Sequence, residues 1–124
     1  MSKEEIRLFY KKNGIKSSNF KDAPLAFSVE NSLKVLELFE KSKIIILGGD
    51  ILINSSDEIV YAHYIWGDEY QYLNWHCEKV VDEKYEDYLN RGYNLSKAFI
   101  LKANEIARSK NCQIFILFVT NEYF

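Results

Sequence analysis

Two cysteines and a single proline in 124 residues rule out a disulfide framework and a proline-rich linker. Five glycines are too few for a collagen-like or low-complexity chain. Long apolar runs are missing as well. The longest, Ile44–Leu47 and Ile114–Val119, fall far short of the roughly 20 residues that a membrane-spanning helix needs. The N-terminal stretch MSKEEIRLFYKK is charged and lacks the apolar core of a secretory signal. These absences predict a cytoplasmic protein with free thiols and no membrane association.

What the chain does have is aromatic residues and unevenly placed charge. Phe, Tyr and Trp make up 15% of the residues, and the length suits one domain, 1–124, that buries roughly two thirds of its unfolded surface. Residues 1–43 hold nine basic and six acidic side chains, whereas residues 44–93 hold three basic and ten acidic ones. These acids read either as a solvated sheet edge and helix start, where acids favour the helix N-terminus, or as an acidic face that attracts a basic partner and repels nucleic acid.

Ser2 followed by Glu5 fits a capping box, and Ile6, Phe9 and Tyr10 share one face of a helix over about 3–12. Residues 13–27 read as an ordered loop. Ser28 is the expected N-cap of a helix running to about Lys41. The middle is rich in strands: Lys43–Leu47, Ile51–Asn54, Ile59–Trp66 and, after a hairpin turn at Gly67-Asp68, a strand over about 71–79. Asp82 is placed to cap a long helix over about 83–109, whose apolar stripe includes Tyr88, Leu95, Phe99, Ala103 and Ile106. Gln113–Val119 closes the chain as a buried strand, expected beside Lys43–Leu47 because both are apolar throughout. The pattern predicts an α+β fold, a mainly antiparallel sheet of four to five strands with two main helices packed on one face.

Catalytic signatures are weak. His76 and Cys77 are adjacent, and neighbours in a strand point to opposite faces, so this histidine cannot serve as base for this thiol. His63, His76, Cys77 and Cys112 show none of the spacings of a zinc site; no metal and no cofactor are expected. The stretch LGGD (Leu47–Asp50) leads into a strand rather than a helix, and no lysine follows, so it makes a poor phosphate cradle. Gly48, Gly49 and Asp50 are read instead as a structural turn or bulge, with Asp50 held by local backbone amides.

Binding signatures are stronger. Tyr61, Tyr64, Trp66, Tyr70, Tyr72 and Trp75 lie among Asp68, Glu69 and Glu78. Trp and Tyr dominate interface hot spots, and flanking acids accelerate association with a basic partner.

Four segments also carry a resemblance: a helix ending in LELFEKSK, a strand running into ILGGD, the segment LNWHCE, and a helix of the form YEDYLNRGYNLSKAFI. Over Ser28 to Ile100 the chain resembles the immunity protein 40 family of bacterial polymorphic toxin systems. The resemblance implies an antitoxin that binds and neutralises a cognate toxin, with no catalytic residues. On that reading Trp66, Asp68, Glu69, Tyr70, Tyr72, Trp75 and Glu78 form the toxin-binding set. Trp75 and Tyr72 would act as anchors or their support, and the acids would steer a toxin with a basic surface. The alternative from another class is a small enzyme or nucleotide-binding protein that uses Asp50 with His63 or His76.

Overall fold

The computed structural model describes residues 3–18 and 21–124. It is an α+β sandwich, in which an antiparallel sheet carries helices on one of its two faces.

Helix α1 (Lys3–Asn13) has Glu4 and Glu5 in its first turn and Lys11 and Lys12 in its last, which suits the helix dipole at both ends. The predicted capping box falls on Ser2, outside the described residues. A two-residue strand β1 (Ile15–Lys16) pairs with β2 (Leu25–Ser28), which runs directly into α2 (Val29–Lys41). Ser28 caps that helix as expected, its Oγ accepting from the Asn31 amide at 3.2 Å. β2 was not legible in the sequence, since four residues behind a proline offer no period to read.

Strand β3 (Ile46–Ser55) is the axis of the sheet. It pairs on one side with β6 (Ile114–Thr120), which in turn pairs with β2. On the other side it pairs with β4 (Glu58–Tyr61) and, through Gly48 and Gly49, with the two-residue β5 (Trp75–His76). The expected neighbourhood of the two apolar strands is therefore realised and both are central, but β3 starts later than expected, and of Lys43–Leu47 only Ile46 and Leu47 belong to it.

The predicted turn at Gly48-Gly49-Asp50 is instead part of one continuous strand, with the register shifting between Ile46 and Gly48 as at a bulge. The glycines are required because β5 comes so close. A β-carbon at residue 48 would lie 2.3 Å from the Trp75 carbonyl oxygen, and one at residue 49 would lie 2.2 Å from the Trp75 ring.

Two further expectations give way between β4 and the last helix. The strand expected to run to Trp66 stops at Tyr61, where the short helix α3 (Ala62–Trp66) begins. The strand expected over 71–79 is a 3₁₀ segment (Asp68–Leu73) followed only by β5. The edge of β3 between β4 and β5 needs no strand there, because the Asn74 side chain accepts from the Ile51 amide at 2.9 Å. With that edge satisfied, the aromatic run curls into helical turns.

Helix α4 (Tyr85–Ser109) then crosses back to β6. It starts two residues later than expected. Asp82 sits in a left-handed turn (φ 65°) and does not cap it, while the Glu83 carboxylate accepts from the Val80 amide at 3.0 Å. α2 and α4 pack side by side on the sheet, and α1 lies against α2. The main core lies between helices and sheet: Val35, Leu36, Phe39, Ile100, Ala103 and Ala107 meet Phe27, Ile51, Ile53, Ile114 and Ile116. A separate small cluster of Ala26, Leu52 and Phe115, with Ile59 and Leu117 beside it, occupies the reverse of the sheet. Among the described residues no helix contributes to that cluster.

Candidate functional site: the uncovered face of the sheet

Strand alternation decides what the reverse face carries. Residues directly opposite in antiparallel strands point to the same side. Asp50 is opposite Leu117, Leu52 is opposite both Phe115 and Tyr61, and Gly48 is opposite both Val119 and His76. Ile51 and Ile53, one step out of phase, go to the helical core. Asp50 therefore stands on the face away from α2 and α4, among Leu52, Leu117, Tyr61 and His76.

Two clefts meet at this carboxylate. One, of about 430 Å³, is walled by Leu52, Ile59, Tyr61, Tyr64 and Leu117. The other, of about 470 Å³, runs past His76, Glu78, Lys79 and Val119. Asp50 is half-buried, and no described residue donates a hydrogen bond to its carboxylate, contrary to the expectation of local amide support. Burial pushes its carboxyl above the ordinary value, while His76 and His63 pull against that rise. The charge is felt in turn by Tyr61, whose phenol is pushed up first by Asp50 and then by burial.

Tyr61, His63 and Tyr64 form a three-ring cluster with centroids 4.8–5.4 Å apart. It arises where β4 turns into α3. The tautomer of His63 is fixed from behind. Because the Asn74 Oδ1 accepts from Ile51, its Nδ2 is the atom that faces His63 Nδ1, at 3.3 Å. Neutral His63 must then accept at Nδ1 and carry its proton on Nε2.

The seven residues assigned to toxin contact from sequence separate by environment. Trp75 is only 2% exposed; its Nε1–H donates to Ser96 Oγ at 3.0 Å, and its ring stacks on Phe99. It lines the base of the second cleft as a support, not as an accessible anchor. Trp66 and Tyr70 pack edge to face and are half-buried, with the Lys110 ammonium from the end of α4 over both rings. The Trp66 Nε1–H finds no acceptor among the described residues. Asp68, Glu69, Tyr72 and Glu78 are exposed. Tyr61 and Tyr64 were left out of the set, and so was Asp50. The signal was an acid at an inward-and-outward alternating position of the run ILGGDILI, readable only once β6 fixes which side is covered.

The two chemical readings fare differently. Cys77 points away from His76: it is 1% exposed, its sulfur would lie 3.6 Å from a β-carbon on Gly92 of α4, and burial pushes its thiol up. This pair has no geometry for nucleophilic catalysis. Asp50, His63 and His76, by contrast, do reach the same side of the sheet. Among the described residues no group of three or more His, Cys, Asp or Glu is arranged to hold a metal ion, and no helix is long and apolar enough to cross a membrane.

Neither a curated protein nor a solved structure matches the chain. A family model does, over residues 12–120, wider at both ends than the stretch in which the sequence motifs lie, and its description is Immunity protein 40. The chain belongs to the Immunity protein 40 family.

Proposed function

We propose that this protein is an antitoxin of a bacterial polymorphic toxin system, which binds a cognate toxin in the cytoplasm and neutralises it by contact rather than by catalysis. The observation that carries the reading is the uncovered sheet face. On the side away from α2 and α4, Tyr61 and Tyr64 are exposed and Ile59 and Leu117 partly so, beside the buried Leu52, and apolar and aromatic surface of this kind favours a protein partner. Asp68, Glu69, Tyr72 and Glu78 add exposed acidic and aromatic surface, of which Glu78 lines the second cleft. Trp66, Tyr70 and Trp75 tie the same segment to the main core. A basic toxin surface suits this arrangement, and a nucleic acid does not.

Co-expression with the product of the adjacent upstream gene tests the reading, with growth and co-purification both scored. Growth rescue with a stable complex is the expected result. The enzyme alternative draws on one observation, the convergence of Asp50 with His63 and His76. It expects rescue without a complex, because a catalyst need not retain its target.

A further inference from the structure

We infer that the uncovered face receives an arginine side chain of the toxin, its guanidinium paired with the Asp50 carboxylate and laid against Tyr61 or Tyr64 in the cleft bounded by Leu52, Ile59 and Leu117. The inference rests on the antitoxin reading and names the group that the site takes.

Among the described residues nothing gives Asp50 a structural task. Its position in β3 is one where a branched apolar residue would pack against Leu117 and join the Leu52–Phe115 cluster. In its place stands a half-buried carboxylate that receives no hydrogen bond from any described residue. Burying a carboxylate without a partner costs stability, and a local rule broken without structural return is expected at a functional site. The histidines near it offer only partial relief, and among the described residues the cleft on the tyrosine side is lined by no lysine, arginine, histidine or second carboxylate. Lys79 stands in the other cleft, beside Glu78.

The surroundings of Asp50 select the occupant. An anion is repelled. A purely apolar side chain would seal the carboxylate away from water with nothing to pair it. A cation fits, and among cations the guanidinium fits best. It matches a carboxylate with two parallel N–H donors, is more weakly hydrated than an ammonium, and stacks on aromatic faces. Tyr61 and Tyr64 provide such faces, with ring centroids 5.3 Å apart and Tyr64 67% exposed. The apolar walls at Leu52, Ile59 and Leu117 suit the methylene stem. The wider surface agrees, since residues 44–93 carry ten acidic side chains against three basic ones.

The test uses the purified toxin domain encoded by the adjacent gene, with affinity measured for the wild type and for Asp50→Asn, alongside urea unfolding of each. The expected result is a loss of at least about 30-fold in affinity together with an unfolding midpoint equal to or above that of the wild type. A structural role for the carboxylate would instead lower the midpoint. Substituting the toxin's arginines one at a time by alanine should find one whose effect is not additive with Asp50→Asn. Affinity of Asp50→Asn within about threefold of wild type overturns the inference, and so does a loss that couples to no toxin arginine. If Asp50→Asn does not fold, the double variant Tyr61→Ala, Tyr64→Ala removes both aromatic faces and should lose about tenfold; unchanged affinity there also overturns it. Failure of the wild type to bind at all overturns the antitoxin reading, and this inference with it.

Discussion

Trp75 lies across Gly49, its indole occupying the space that any β-carbon on residue 49 would need. The pair explains why the tryptophan of β5 belongs to the core and why β3 carries two glycines where it pairs with that strand. Trp75→Ala removes a ring stacked on Phe99 and the donor to Ser96 Oγ, so it should cost about 3–5 kcal/mol. Gly49→Ala should cost about 1–3 kcal/mol by overpacking. Urea unfolding of both variants and of the double variant checks the cause. The alanine at 49 should be far better tolerated once the indole is gone, and additive losses would mean the two residues do not meet.

Acid should loosen the segment between β5 and α4. Arg91 Nε and Nη2 donate to the two Glu83 oxygens at 2.9 and 2.8 Å, and Arg91 Nη2 also donates to the Glu78 carbonyl. The Arg91 hydrogen bond, followed by the Val80 amide, holds the Glu83 carboxyl at about 2, below its ordinary 4.5. A lowered carboxyl contributes stability that is complete above 4.5 and is lost as pH falls towards 2. The unfolding midpoint of the wild type should therefore drop across that window by more than that of Glu83→Gln. Equal slopes would show that the clasp does not form in solution.

Asp50 has the opposite sign. Its carboxyl is raised from 3.8, so the folded state binds the proton more tightly and loses stability as pH climbs from 3.8 through the raised value. The stability gained by Asp50→Asn should accordingly be larger at neutral pH than at pH 3.8, read from urea midpoints at the two values. A gain that is the same at both would remove desolvation as the reason.

Much of this architecture could be read from residue order, and the failures have physical causes. The apolar runs at Ile44–Leu47 and Ile114–Val119 locate the two central strands, although the burial on both faces that such runs predict is not realised, since Leu47 and Val119 are exposed. Ser28 and the stripe of α4 locate the main helices. The stretch 62–73 misleads, since Tyr and Trp favour strands in general whereas here Asn74 already satisfies the β3 edge and helical turns form instead. Trp75 misleads for a related reason. A tryptophan among acids looks like an interface anchor until Ser96 and Gly49, distant in sequence, take its two ends. Asp50 is visible as an acid inside an apolar strand. Its meaning depends on which face the helices cover, and that is a property of the assembled sheet.

The cysteines should react unequally. Cys77 is sealed between the sheet and α4 and its thiol is pushed up by burial, whereas Cys112 is partly accessible after the end of α4. Native protein treated with iodoacetamide should take up one label, at Cys112, and a second only on unfolding. Mass spectrometry of the labelled peptides reads this directly. Early labelling of Cys77 would mean that the LNWHCE segment is not docked.

The exposed acids and the Asp50 carboxylate should separate kinetically. Asp68, Glu69 and Glu78 are exposed, where charges act at long range and are screened by salt. Neutralising them together, as Asp68→Asn, Glu69→Gln and Glu78→Gln, should slow association with the toxin about tenfold at low ionic strength and flatten its salt dependence. Dissociation should change little. Asp50→Asn should do the reverse and raise the dissociation rate, because a partly desolvated pair is broken only after contact has formed. Stopped-flow association at two ionic strengths, with dissociation measured by competition, distinguishes the two roles. If the triple variant instead dissociates faster with an unchanged association rate, those acids make close contacts, and the interface extends from the sheet face across the 68–78 segment.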